Sequence, residues 1–106
     1  MKTIHKAQLE VTDWQEIMLP ADAKFLTAQH QENQGICIWY ETDTSTHHHV
    51  QTAEFAVFGT GHDMGRKWMH DREPIYLGTC FFQNDKLVFH VYHLKPKTYW
   101  EETHDQ

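Results

Sequence analysis

Apolar side chains in this chain recur mainly at every second position, and hardly anywhere at the three-to-four spacing of an amphipathic helix. Ala7, Leu9 and Val11 alternate with Lys6, Gln8 and Glu10, and Ala53, Phe55 and Val57 alternate with Thr52, Glu54 and Ala56. Gln15, Ile17 and Leu19 share one phase, as do Leu87, Phe89 and Val91. Successive side chains of a strand point to opposite faces, so a period of two marks a strand with one buried side. A chain written this way can hide its apolar side chains only in packed sheets.

Polar and glycine-bearing breaks divide the pattern into seven strands, at residues 7–11, 14–19, 24–31, 36–40, 50–58, 75–82 and 87–94. The expected fold is all-β: one small antiparallel β-sandwich or open barrel of about seven strands, with little helix. Thr12-Asp13 is short enough to join the first two strands as a hairpin. Turns at 32–35 and 83–86 should close two more. Residues 36–40 are apolar on both faces and read as a central strand. Residues 41–49 are polar and read as a loop. Residues 61–74 form the longest irregular piece, with room for one helical turn and an end at Pro74. The expected core is Leu9, Ile17, Leu19, Ile36, Ile38, Phe55, Val57, Leu77, Phe89 and Val91, with Trp39 largely buried. Residues 1–94 form the domain and residues 95–106 a polar tail.

With 40% hydrophobic and 13% aromatic residues the chain can bury a core, which argues against wholesale disorder. A net charge of −6 with no basic stripe argues against direct nucleic-acid binding. No apolar run approaches the ~18 residues of a membrane-spanning helix. The opening Met1-Lys2-Thr3-Ile4-His5 has no long apolar segment, so no secretory leader is expected. Strand edges carry few Lys or Pro blockers, which favours a homodimer.

Ten histidines are a high share for 106 residues. His47-His48-His49 lies in a polar loop, where neighbouring imidazoles can turn toward one ion, so adventitious Zn or Ni binding is the metal reading. Cys37 and Cys80 lack the short spacing of a structural zinc site. His90 and His93, three apart in a strand, face opposite ways, so one lies near the core and a hydrogen-bonded histidine is favoured over a ligand pair. Gly59-Thr60-Gly61-His62-Asp63 lacks the full glycine pattern of a phosphate loop and reads as a sharp turn. The only serine, Ser45, sits in the polar loop without a strained elbow. Both cysteines lie in apolar strands, where a thiol behaves as a small hydrophobe. No catalytic set emerges, and the chain is expected not to be an enzyme.

Residues 64–72 are the one locally basic stretch, and they carry Trp68 between methionines. Trp and Arg are enriched in binding hot spots. His62, Arg66, Trp68, Met69 and Arg72 are therefore the candidate partner-binding residues. Either the protein body or a partner must cover that apolar area.

Several segments taken together carry a resemblance. They are Ile4-His5-Lys6, Leu9-Glu10-Val11-Thr12-Asp13, Ile17-Met18-Leu19-Pro20, Phe58-Gly59-Thr60-Gly61-His62, Tyr76-Leu77-Gly78-Thr79 and Leu87-Val88-Phe89-His90-Val91-Tyr92. In that order the chain resembles a family of short proteins of unknown function from bacteria and tailed phages. The resemblance implies a small β-rich domain in the cytoplasm of a bacterial host cell and brings no catalytic residues. The leading expectation is a non-enzymatic accessory protein that binds and modulates a bacterial host or defence protein. The alternative is a metal- or small-ligand-binding β-domain that uses its histidine-rich loops.

Overall fold

Seven strands make two antiparallel sheets packed face to face. The computed structural model describes residues 1–45, 49–65 and 67–97, apart from the side chains of Lys67 and Trp68. The strands are β1 (Lys2–Leu9), β2 (Gln15–Pro20), β3 (Lys24–Gln31), β4 (Gly35–Asp43), β5 (Val50–Gly59), β6 (Arg72–Phe82) and β7 (Leu87–Pro96), with a 3₁₀ turn at Lys67–Asp71. One sheet has the order β1-β4-β3 and the other β2-β5-β7-β6. The all-β sandwich read from the alternation is the observed fold. Among the described residues no helix is long and apolar enough to cross a membrane.

The hairpins β3–β4 and β6–β7 form at the expected turns, with Gln31 opposite Gly35 and Phe82 opposite Leu87. The β1–β2 hairpin does not form. β1 pairs with β4, and β2 pairs with β5 in the other sheet. Between them the chain turns a corner held by the Gln15 amide, which accepts from Glu10 N at 2.9 Å and donates to Glu10 O at 2.7 Å. Thr12 O accepts from Val57 N across the sheets at 3.2 Å. Alternation is satisfied equally by pairing within a sheet and by facing across the sandwich, so a short polar link does not choose between them.

Several boundaries also move, and β7, read as 87–94, runs on through Lys95 and Pro96, which pair with Glu73 and Arg72 rather than starting the tail. β1 starts at Lys2 because β4 extends to Asp43 and offers it a ladder. The first residues of the polar 41–49 stretch are therefore strand, and Thr42 is buried there, its hydroxyl donating to Asp22 at 2.6 Å. β6 begins two residues before Pro74. That strand is at a sheet edge, where proline is tolerated because one side of the strand has no ladder partner to lose.

The core between the sheets contains Leu9, Leu19, Ile36, Ile38, Phe55, Val57, Leu77 and Val91, as the pattern predicts. Ile17 and Phe89 are only half-buried at its margin, so truncating Phe89 removes less buried surface than a fully enclosed ring would. Trp39 is half-buried rather than enclosed. It belongs to the outer face of the three-stranded sheet, opposite Lys6 and Thr27, out of phase with core residues Ile38 and Tyr40. A second cluster, Ala56, Phe58 and Leu94, sits on the outer face of the four-stranded sheet, where Met64, Met69 and Tyr92 pack over it. The chain after β5 thus folds back as a partial third layer. At the other side β3 and β6 touch. A Cβ on Gly78 would lie 2.2 Å from Ala28 O, so only glycine permits that approach.

Candidate functional site

Four polar side chains form one continuous hydrogen-bonded chain across the outer face of the four-stranded sheet. Thr60, just past the end of β5, is placed by its backbone N donating to Val88 O at 3.2 Å. Its hydroxyl bonds His90 Nε2 at 2.7 Å. The other ring nitrogen, Nδ1, lies 3.1 Å from Thr79 Oγ1, and Tyr76 OH bonds Thr79 in turn. The β6–β7 register sets Thr79 opposite His90 and Tyr76 opposite Tyr92. Three residues apart, Tyr76 and Thr79 would face opposite ways in a regular strand. The register shift between Tyr76 and Gly78 brings both to one face.

A neutral imidazole has one donor and one acceptor nitrogen, so the chain is directional. With the proton on Nε2, His90 donates to Thr60, and Tyr76 donates to Thr79, which donates to Nδ1. With the proton on Nδ1, His90 donates to Thr79 and accepts from Thr60, and Thr79 is free to donate to Tyr76. In the Nε2–H form the Thr60 end has an O–H free to point outward and the Tyr76 end shows only lone pairs.

Aromatic rings surround this chain. Tyr92 meets Tyr76 edge-to-face with centroids 5.7 Å apart, and Phe58 behind it at 6.3 Å. Tyr76 is 56% exposed and Phe81 50% exposed on the same face. Beside Thr60 lies a groove of about 190 Å³ lined by His62, Lys86, Leu87, Val88 and Phe89. Gly61, at φ +88°, makes the turn that brings His62 back, with His62 N donating to Gly59 O at 3.0 Å. The His62 ring occupies the space next to Gly59, where a Cβ would come within 2.8 Å of it.

The residues singled out from sequence separate into groups. His62 is exposed and lines this groove. Met69 packs on the second apolar cluster. Arg72 is held by Glu54, its Nε donating to the two carboxylate oxygens at 2.9 and 3.1 Å. Trp14 Nε1 donates to the same carboxylate at 2.8 Å. Met69 and Arg72 therefore serve the fold. Arg66 and the Trp68 side chain lie outside the described residues, as do His47 and His48. His49 is exposed next to β5, its carbonyl accepting from Ala21 N at 2.9 Å. Among the described residues no three His, Cys, Asp or Glu side chains are grouped to hold a metal ion.

His93 is the core-side histidine of the β7 pair. Its ring centroid lies 4.5 Å from that of Phe25 and 5.5 Å from that of Phe55. Burial there lowers its pKa below the usual histidine range, against a smaller raising effect of Glu54. Cys37 and Cys80 are buried free thiols. Burial pushes the Cys80 thiol up to about 11, which keeps it protonated and unreactive near neutral pH.

Sequence reasoning missed Thr60, Tyr76 and Thr79 as a unit. All three, with His90 and Tyr92, belong to the segments Phe58–His62, Tyr76–Thr79 and Leu87–Tyr92 that carry the family resemblance. Their convergence was the available signal, and the bulge at Leu77 hid it.

A family model described as a domain of unknown function (DUF7352) matches residues 1–101, and the chain belongs to that family. No curated protein and no solved structure matches it.

Proposed function

We propose that this domain acts as a binding module without chemistry of its own, and that it recognises another protein through the outer face of the four-stranded sheet. The observation that carries this reading is the exposure of Tyr76 and Phe81 beside polar groups already ordered by the His90 chain. Aromatic rings on a rigid sheet bring contact area at low entropic cost, and prearranged hydroxyls add direction. Half-exposed rings also leave apolar area in water at about 25 cal/mol per Å², which a partner would cover. The family resemblance and the net charge of −6 support a bacterial host or defence protein as the partner, met in the cytoplasm.

A photo-crosslinking amino acid at position 81, compared with one at Lys24 on the other sheet, tests the reading in bacterial cells. Position 81 should give one discrete adduct that position 24 does not. Tyr76→Ala with Phe81→Ala should lower affinity for the protein so captured by about 30-fold, the equivalent of ~2 kcal/mol, with little change in melting temperature. Equal, diffuse labelling at both positions would remove this face as the interface.

A further inference from the structure

We infer that the groove beside Thr60 is a carboxylate-binding subsite, made by the Thr60 hydroxyl, the His62 ring and the Lys86 ammonium, with the His90 tautomer setting its polarity. This rests on the protein-binding reading above and specifies the chemistry that the partner presents.

The groove is small, about 190 Å³, with Leu87, Val88 and Phe89 forming its apolar walls. Its lining also includes Thr60, His62 and Lys86, which supply a hydroxyl, an imidazole and an ammonium. Lys86 makes no ion pair among the described residues, although Asp85 precedes it in the turn. The chain as a whole carries −6, so most of its surface repels an acidic group. This groove is a local exception, and a single ammonium matches a monoanion better than a dianion.

The Thr60 hydroxyl decides the rest. Its hydrogen-bond partner inside the protein is His90 Nε2, 2.7 Å away. If His90 carries its proton on Nε2, Thr60 accepts that bond and its own O–H is free to donate into the groove. Nδ1 then accepts from Thr79, and Tyr76 donates to Thr79, so every member of the chain is satisfied. In the reverse tautomer Thr60 donates inward and shows the groove only lone pairs, which repel an anion. A bound carboxylate therefore selects the Nε2–H form. It also turns the Tyr76 O–H inward, leaving the phenol oxygen at the far end of the chain as an acceptor for the partner. Recognition at the groove and at Tyr76 is thereby coupled through one proton position.

The test uses the full chain with ¹⁵N-labelled histidines, observed by multiple-bond ¹H–¹⁵N spectra that distinguish the tautomers. The probes are acetyl-Ala with a free carboxylate as a chain-end mimic, acetyl-Glu amide as a side-chain mimic, acetyl-Gln amide as the neutral control, and inorganic phosphate. At least one carboxylate should bind saturably, shift the His62 ring signals and move His90 to the Nε2–H pattern. Whichever binds tighter identifies the source as a chain end or an acidic side chain. Lys86→Met should weaken it by roughly threefold to fivefold, as expected for an exposed ion pair. Thr60→Val should abolish the His90 response while leaving the protein folded. The inference is overturned if the glutamine control behaves like the carboxylates, if phosphate binds more tightly than both, or if the His90 response survives Thr60→Val. Those failures would leave the crosslinking result at position 81 unaffected, so loss of this subsite and loss of the binding face are distinguishable.

Discussion

Gly78→Ala probes the seam that closes one side of the sandwich. A Cβ at this position would stand 2.2 Å from Ala28 O, 3.1 Å from Ala28 C and 3.3 Å from Ala28 N. Carbon and oxygen in comfortable contact sit about 3.3 Å or more apart, so the strands must separate by roughly 1 Å. All three obstructing atoms are backbone, and the ladder to β4 prevents β3 from rotating away. Moving β6 instead would open the core at Leu77 and Ala28, both buried, and break the 3.4 Å bond that Thr27 Oγ1 donates to Leu77 O. Overpacking typically costs ~1–3 kcal/mol where side chains can adjust, and a backbone obstacle belongs at the upper end. Loss of glycine freedom in the unfolded chain offsets ~0.4–1 kcal/mol of this. The net expectation is about 2 kcal/mol of destabilisation, or a melting temperature lower by about 10 °C. Urea unfolding followed by tryptophan fluorescence measures it. Gly65→Ala is the control, because its Cβ would meet only the Asp63 side chain at 3.1 Å, which can swing aside. The control should stay within ~0.5 kcal/mol of the parent. Equal stability of the two variants would refute the close backbone approach of β3 and β6.

Glu54→Ala should destabilise by about 2 kcal/mol, because it strands the partly buried Arg72 guanidinium and leaves Trp14 Nε1 without its acceptor. Glu54→Gln, which keeps an acceptor but not the charge, should recover part of that loss in the same thermal melts, and a change below ~0.5 kcal/mol for the alanine variant would count against the network. His93 supplies a pH dependence. Its folded pKa lies below the unfolded value of 6.5, so the unfolded chain binds the proton more readily. Stability from this site is full above about pH 6.5 and declines as the pH falls through the folded pKa. The urea midpoint of the parent should thus drop more steeply with acid than that of His93→Phe, and parallel curves would show that the ring is not desolvated.

Much of the architecture was legible because a period of two is a direct consequence of strand geometry. Phe55, Val57, Leu77 and Val91 could be assigned to the core without any knowledge of which strands pair. Turn chemistry located the β3–β4 and β6–β7 hairpins, since a short reversal between adjacent strands leaves few alternatives. The half-buried Trp39 was misread because an apolar run records hydrophobicity on both faces but not whether a second layer exists to cover each. Likewise, Ala56 and Phe58 alternate out of phase with the inner core, and only the returning chain with Met64 and Met69 accounts for their burial.

The sequence by itself determined that this protein is an all-β structure of about seven short strands, because a period of two hides side chains on one face of a sheet, and it left sandwich and open barrel as alternatives. It also placed His90 and His93 on opposite faces of one strand. The tertiary structure alone decided which sheet each strand joins, since β1 and β2 satisfy their apolar faces across the sandwich as well as beside one another. It alone assembled Thr60, His90, Thr79 and Tyr76, because their contact depends on strand register and on one bulge at Leu77 that reverses the facing of Tyr76 relative to Thr79. Register is a property of the ladder between strands. Hydrophobic pattern constrains it only to within a shift of two residues, and that freedom is enough to make or dissolve a site built from polar side chains.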